Sequence, residues 1–175
     1  MSTTVCTDMT HEHVNATATI NAPVEVVFDV LTDPSTHQAI DGTGWVREPL
    51  DREPLTEVGQ IFRMAMYHDN HPDKDYEMAN RVEVIDPPRA IAWLPGQGPE
   101  QRGYLLQNTE LEFGGWIWRY DLESAGPGHT LVKLTYDWSG VPAHMRDIEF
   151  PPFEVAHLDN SLKNLAGLAE RRIVS

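Results

Sequence analysis

In VNATATI, Val14, Ala16, Ala18 and Ile20 alternate with polar residues, the period of a half-buried strand. The period then changes. Val24, Val27, Phe28 and Leu31 fall at helical spacing, with Asn21 and Pro23 near the start of the stripe. Asp33-Pro34 begins a second short helix through about Ile40, because Asp33 can cap free N–H groups and Pro34 suits a first turn. DGTG, Asp41–Gly44, breaks it. From Trp45 to Trp138 the pattern is strands and turns: Trp45–Pro49, Gly59–His68, Tyr76–Asp86, Ala90–Leu94, Glu110–Leu122 and Thr130–Trp138. AGPGH, Ala125–His129, and DPP, Asp86–Pro88, are tight links. A last helix, about Phe153–Arg172, carries Val155, Leu158, Leu162, Leu165 and Ala169 at helical spacing. Strands joined by short turns pair antiparallel, and a helix with one apolar stripe covers one face of such a sheet.

Alternation also assigns faces, provided no bulge shifts the phase. Phe62, Met64 and Met66 face inward and carry His68 with them, leaving Arg63 and Tyr67 outside. Tyr76, Met78, Asn80, Val82 and Val84 form the next inward set; Trp116, Trp118, Tyr120 and Leu122, then Val132, Leu134, Tyr136 and Trp138, form two more. Val, Leu and Phe would fill an ordinary core. This interior instead collects Trp, Tyr and Met with an Asn and a His, and an aromatic lining with a few polar handles describes a small-molecule pocket.

Charge narrows the partners. The 175 residues carry a formal net charge of −14, which repels a phosphate backbone, so neither nucleic acid nor an anionic membrane surface is an expected partner. Cys6 is the one cysteine, which excludes an intramolecular disulfide and a thiolate zinc cage. Residues 1–13 lack the basic and apolar segments of a secretion signal and read as a flexible tail before a single domain, 14–175. No apolar run approaches the roughly 20 residues of a membrane span, so membrane insertion is not expected and cytoplasm is the expected location.

Candidate chemistry concentrates in MYHDNHPDKDYEM, Met66–Met78. A metal needs three or four converging ligands with a second shell behind them; His68 and His71 supply two, in a turn-rich loop, so no metal site is expected. GQGPEQRG, Gly96–Gly103, echoes a phosphate loop but leads into a strand, where the helix N-terminus that would hold a phosphate is missing. This loop, with Arg102 and Tyr104, is expected beside the cavity mouth. No G-x-S-x-G elbow occurs. No cofactor is implied.

The segments ATINAPVEVVFDVLTDPSTHQAI and WIWRYDLES…GHTLVKLTYDWSG, with the amphipathic final helix, resemble the polyketide cyclase/dehydrase group of the START-like (Bet v1-like, SRPBCC) superfamily. The resemblance runs from about Val14 to Arg172. It implies an α+β helix-grip fold, in which a curved seven-stranded antiparallel sheet grips the long C-terminal helix around a hydrophobic cavity. Asp137-Trp138 matches a recurrent motif of the group, with Asp137 facing out to brace the loop after it. The fold admits several functions. The preferred one is binding of a small hydrophobic or aromatic, polyketide- or lipid-like molecule by a carrier or sensor. Met64, Met66, Tyr76, Met78, Tyr104, Trp116, Trp118, Tyr136, Trp138 and His157 would line that site. A cyclase or aromatase is the alternative, with His68 as base, Tyr120 as hydrogen-bond donor and Asn80 orienting a carbonyl. Cyclase-like members often carry an inward arginine, and none falls on the inner face here. A ligand-responsive protein-interaction module is the third reading.

Overall fold

The alternation of VNATATI becomes strand β2, His13–Ile20, whose Val14, Ala16, Ala18 and Ile20 are all buried. The computed structural model describes residues 3–8, 12–41, 46–67, 75–97, 112–113, 115–141 and 156–174, with the backbone alone at 3–8, 75–77, 97, 112–113 and 174. Upstream of β2 lies strand β1, Thr3–Asp8, paired antiparallel with it from Thr3↔Ala18 to Asp8↔His13. The expected tail at 1–13 therefore contains a sheet edge. Its sequence, TTVCTD, is too short and too polar to announce a strand by pattern; β2 supplies the partner.

Helix α1, Val24–Leu31, starts at Pro23 with no side-chain cap, and buries Val27, Phe28, Val30 and Leu31. Asn21 instead ties the fold together: its N–H donates to Glu170 Oε2 at 3.3 Å and its Oδ1 meets His129 Nδ1 at 3.1 Å. Asp33 does cap, accepting from the Ser35 N–H at 3.0 Å ahead of a 3₁₀ turn, Pro34–Thr36, that runs into helix α2, His37–Ile40.

The remaining strands are β3, Val46–Pro49; β4, Ile61–Tyr67; β5, Asp75–Asp86; β6, Ala90–Gln97; β7, Glu112–Phe113; β8, Ile117–Ser124; and β9, Thr130–Asp137. Sheet order is β1-β2-β9-β8-β6-β5-β4-β3, with β7 on β6, antiparallel throughout. All seven expected strands are present, and the segments number nine for two reasons. One is β1. The other is a break between β7 and β8, where Gly115 adopts φ +94° and its backbone lies against that of Gly140.

A bulge changes one face assignment. Register slips between Val82 and Val84, so that Val84 sits opposite Ala92 and Ile85 opposite Ile91. Val84 therefore leaves the inward set, and Ile85 replaces it against the core. The long helix α3, Ala156–Val174, packs on β2, β9, α1 and α2, with Leu158, Leu162, Leu165 and Ala169 buried. The Ala16 and Ala18 side chains are small, which lets this leucine row approach β2 closely. Val155, the first expected member of the stripe, lies outside the described residues.

Candidate functional site

The inner face of the sheet carries a continuous row of rings. Register sets Trp93 opposite Trp118, Trp118 opposite Tyr136, and Ile91 opposite Tyr120, so neighbouring strands deliver aromatics to one surface. Trp118 and Tyr136 lie 4.7 Å apart, Tyr136 and Trp138 5.9 Å, and Trp93 and Tyr120 6.0 Å and stacked. On the neighbouring strands Met64 opposes Met78 and Phe62 opposes Asn80, all four buried. The Asn80 amide reaches the Phe62 carbonyl at 3.5 Å, a long contact that leaves the bond weak.

Burial along this row is uneven. Leu122, Tyr120, Tyr136, Trp138, Phe62 and Met64 are buried, whereas Met66, Trp116 and Trp118, which also face inward, stay half-buried. The half-buried residues share one end of the sheet, where β4 and β6 finish and β8 begins. His157, in the first turn of α3, is half-buried too. The opposite end is closed by the Asn21, Glu170 and His129 contacts and by Arg172 on Asp33 at 3.7 Å.

Two polar groups expected inside are there. Burial raises the Tyr120 phenol well above its ordinary range, with the Asp41 carboxylate adding to the effect, and burial alone raises Tyr136. Both stay protonated at any physiological pH. Tyr76 is placed by its backbone opposite Met66, and nothing further is described of it. His68, His71, Arg102 and Tyr104 lie outside the described residues.

A histidine not singled out in the sequence reading joins the site. His37 opens α2 and is buried, stacked on Trp93 at 5.1 Å and edge-on to Phe62 at 5.6 Å, with Nε2 at 2.9 Å from the Leu31 carbonyl. Burial lowers its pKa below 6.5, against the raising pull of the Leu31 bond and Asp33. The strand arginines lie on the other face: Arg63 pairs with Asp51, Arg81 with Glu83 and Arg119 with Asp121. Asp137 also faces out and accepts from the Ser139 N–H at 2.8 Å, bracing the turn as expected. Among the described residues no group of three or more His, Cys, Asp or Glu could hold a metal, and no helix is long and apolar enough to cross a membrane.

The comparisons agree with this architecture. The chain belongs to the Activator of Hsp90 ATPase homolog 1-like family, whose sequence model matches residues 21–170. That places it in the START-like (SRPBCC) superfamily to which the sequence resemblance pointed. It is 25% identical over 150 residues to the uncharacterized protein Rv0088 of Mycobacterium tuberculosis, covering 86% of this chain and 58% of that protein's length. Two solved structures share the fold. The Zhui aromatase/cyclase of Streptomyces sp. R1128 matches with a TM-score of 0.55 and 20% identity, over 92% of this chain and 94% of that one. Human STARD10 matches with a TM-score of 0.58 and 14% identity, over 93% and 64%. The fold is thus the Bet v1/START-like helix grip.

Proposed function

We propose that the chain, with β1 added to the expected domain 14–175, acts as one domain that binds a small hydrophobic or aromatic molecule, polyketide- or lipid-like, against the inner face of the sheet, as a carrier or sensor. The observation that carries this reading is the incomplete burial of Met66, Trp116 and Trp118 on the inner face beside the buried Tyr136 and Trp138. A completed core would seal Trp118 as it seals Tyr120; here Met66, Trp116 and Trp118, large and inward-facing, keep solvent access where β8 begins. Met66, Trp116, Trp118 and His157 form the rim of the entrance, and Met64, Met78, Tyr136 and Trp138 line its walls. The test is to denature the purified protein, identify released small molecules by mass spectrometry, and titrate them against tryptophan emission. Emission should shift in the wild type and shift much less in Trp118→Phe. If no aromatic or lipid-like compound moves the emission, the reading fails.

Cyclisation is the second reading, favoured by the structural likeness to an aromatase/cyclase. A shaped cavity can supply the positioning such chemistry needs, with Tyr120 and Asn80 available as polar groups and His68 as base. The outward, paired arginines weigh against it. Ligand turnover that disappears in His68→Ala would support the enzyme, and ligand recovered unchanged would support the carrier. The family's description favours a third reading, a ligand-responsive interaction module. A purified chaperone ATPase whose rate ignores this protein, with and without ligand, would remove it.

A further inference from the structure

The two edges of the sheet are built differently. Strand β3 forms one edge and carries several protections against pairing. It is four residues long, VREP, with two charges and a proline; its register is irregular between Val46 and Pro49, and α2 packs beside it. Strand β1 forms the other edge and has none of these. Its six residues, TTVCTD, keep an unbroken register with no proline, lysine, arginine or bulge, and among the described residues β2 is its only strand partner. Alternate residues of an antiparallel edge strand turn their N–H and C=O groups away from the sheet, so β1 presents a row of donors and acceptors to a further strand. The turn into β2 is anchored: Glu12 stands at φ 56°, and its carbonyl accepts from the Trp138 N–H at 3.0 Å.

We infer that β1 is the edge at which a second copy of this chain docks, β1 against β1 and antiparallel, about a two-fold axis normal to the sheet. Charge selects this occupant and this orientation. Opposed residues share a face while successive residues alternate, so a two-fold pair of strands must set one residue opposite itself. With Val5 in that position, Thr3–Thr7 of each copy pair, and the strand's single charged residue, Asp8, falls at opposite ends. The two Asp8 backbones then stand about 20 Å apart along the strands, six residues at about 3.4 Å each, well beyond a screening length of about 8 Å. A parallel pair would set them about 5 Å apart. On a chain of net charge −14, five uncharged residues in a row let a second copy approach with little repulsion. Helix α3 lies over β1 as well as β2, so the same axis brings two α3 helices onto one face of the joined sheet. A strand pair this short falls below the roughly 800 Å² per partner of a standard interface, so the dimer is dynamic, with Kd on the order of 10 μM.

Sedimentation velocity of the full chain from about 1 to 300 μM tests this, and the wild type should pass from monomer to dimer across that range. Thr4 and Cys6 stand opposite Thr17 and Asn15 in register, on the face turned away from the core, so charges placed there spare the packing of α3. Thr4→Lys/Cys6→Lys and Thr4→Glu/Cys6→Glu should each remain monomeric at the highest concentration, because like charges then meet across the axis. An equal mixture of the two sets opposite charges against each other and should dimerise again, which also shows that both variants are folded. A wild type that stays monomeric throughout overturns the inference. Dimers that persist in both double variants overturn it as well, since they would form through another surface. So does a mixture that stays monomeric although each variant keeps the tryptophan emission of the wild type.

Discussion

His37 joins stability to the site. Its folded pKa is depressed by burial below the ordinary 6.5, so the unfolded chain takes up the proton first as pH falls. The stabilisation is therefore complete above about pH 6.5 and is lost on acidification from there toward the folded pKa. Its slope cannot exceed about 1.4 kcal/mol per pH unit for one proton. Urea melts followed by tryptophan emission should show a midpoint that falls between about pH 7.5 and pH 5.5, with a shallower fall in His37→Phe. Identical slopes in the two proteins would show that His37 does not titrate on unfolding. This residue was not legible in the sequence. THQAI gives its position on a helix, but the change from 3₁₀ to α geometry at Thr36 and His37 resets which side faces the sheet. Trp93 was hidden differently: AIAWL is apolar throughout, so alternation gives no phase, and only pairing with β5 and β8 sets the ring inward.

Among the elements, the inward faces of β8 and β9 were legible, because their alternation runs unbroken and the register puts Trp118, Tyr120 and Leu122 opposite Tyr136, Leu134 and Val132. β5 was legible only up to the bulge, since an inserted residue leaves no mark in hydrophobic pattern. The break between β7 and β8 depends on a contact between distant turns. A Cβ on Gly115 would overlap the Gly140 carbonyl oxygen, and a Cβ on Gly140 would come within 2.9 Å of the Gly115 oxygen. Gly126, at φ +120° in the β8–β9 hairpin, has open space around it. Alanine is strained at both Gly115 and Gly126, but only at Gly115 does it also force two backbones apart. Gly115→Ala should cost about 2 kcal/mol or more, or roughly 4–8 °C in Tm for a chain of this size, and Gly126→Ala about half that. Calorimetric melting compares them. Equal losses would mean that the Gly115–Gly140 approach carries no weight.

Across the whole molecule, α3 and β2 run in the same direction, and this gives the sheet and its helix two unlike ends. At one, Glu170 and Arg172 reach Asn21 and Asp33, and Thr130 Oγ1 donates to the buried Ala22 carbonyl at 2.7 Å. Midway, Asn164 donates to the Ile40 carbonyl at 3.2 Å and holds α2 to the helix. At the other end His157, Trp116, Trp118 and Met66 meet solvent, and the first turn of α3 has fewer buried neighbours than its middle. Local opening costs least where few apolar groups are buried. A ligand seated at the open end would add buried area there and almost none at the closed end. Amide exchange should therefore be slowest around Leu162–Ala169 and along β2 and β9 in the free protein. Addition of a small aromatic compound that shifts the tryptophan emission should then slow exchange at Trp116–Trp118, Ala65–Tyr67 and the first turn of α3, leaving Ile20–Ala22 unchanged. Equal slowing at both ends would point to general stabilisation without a defined entrance. Slowing confined to the outer face of β8 and β6 would move the binding surface away from the ring row altogether.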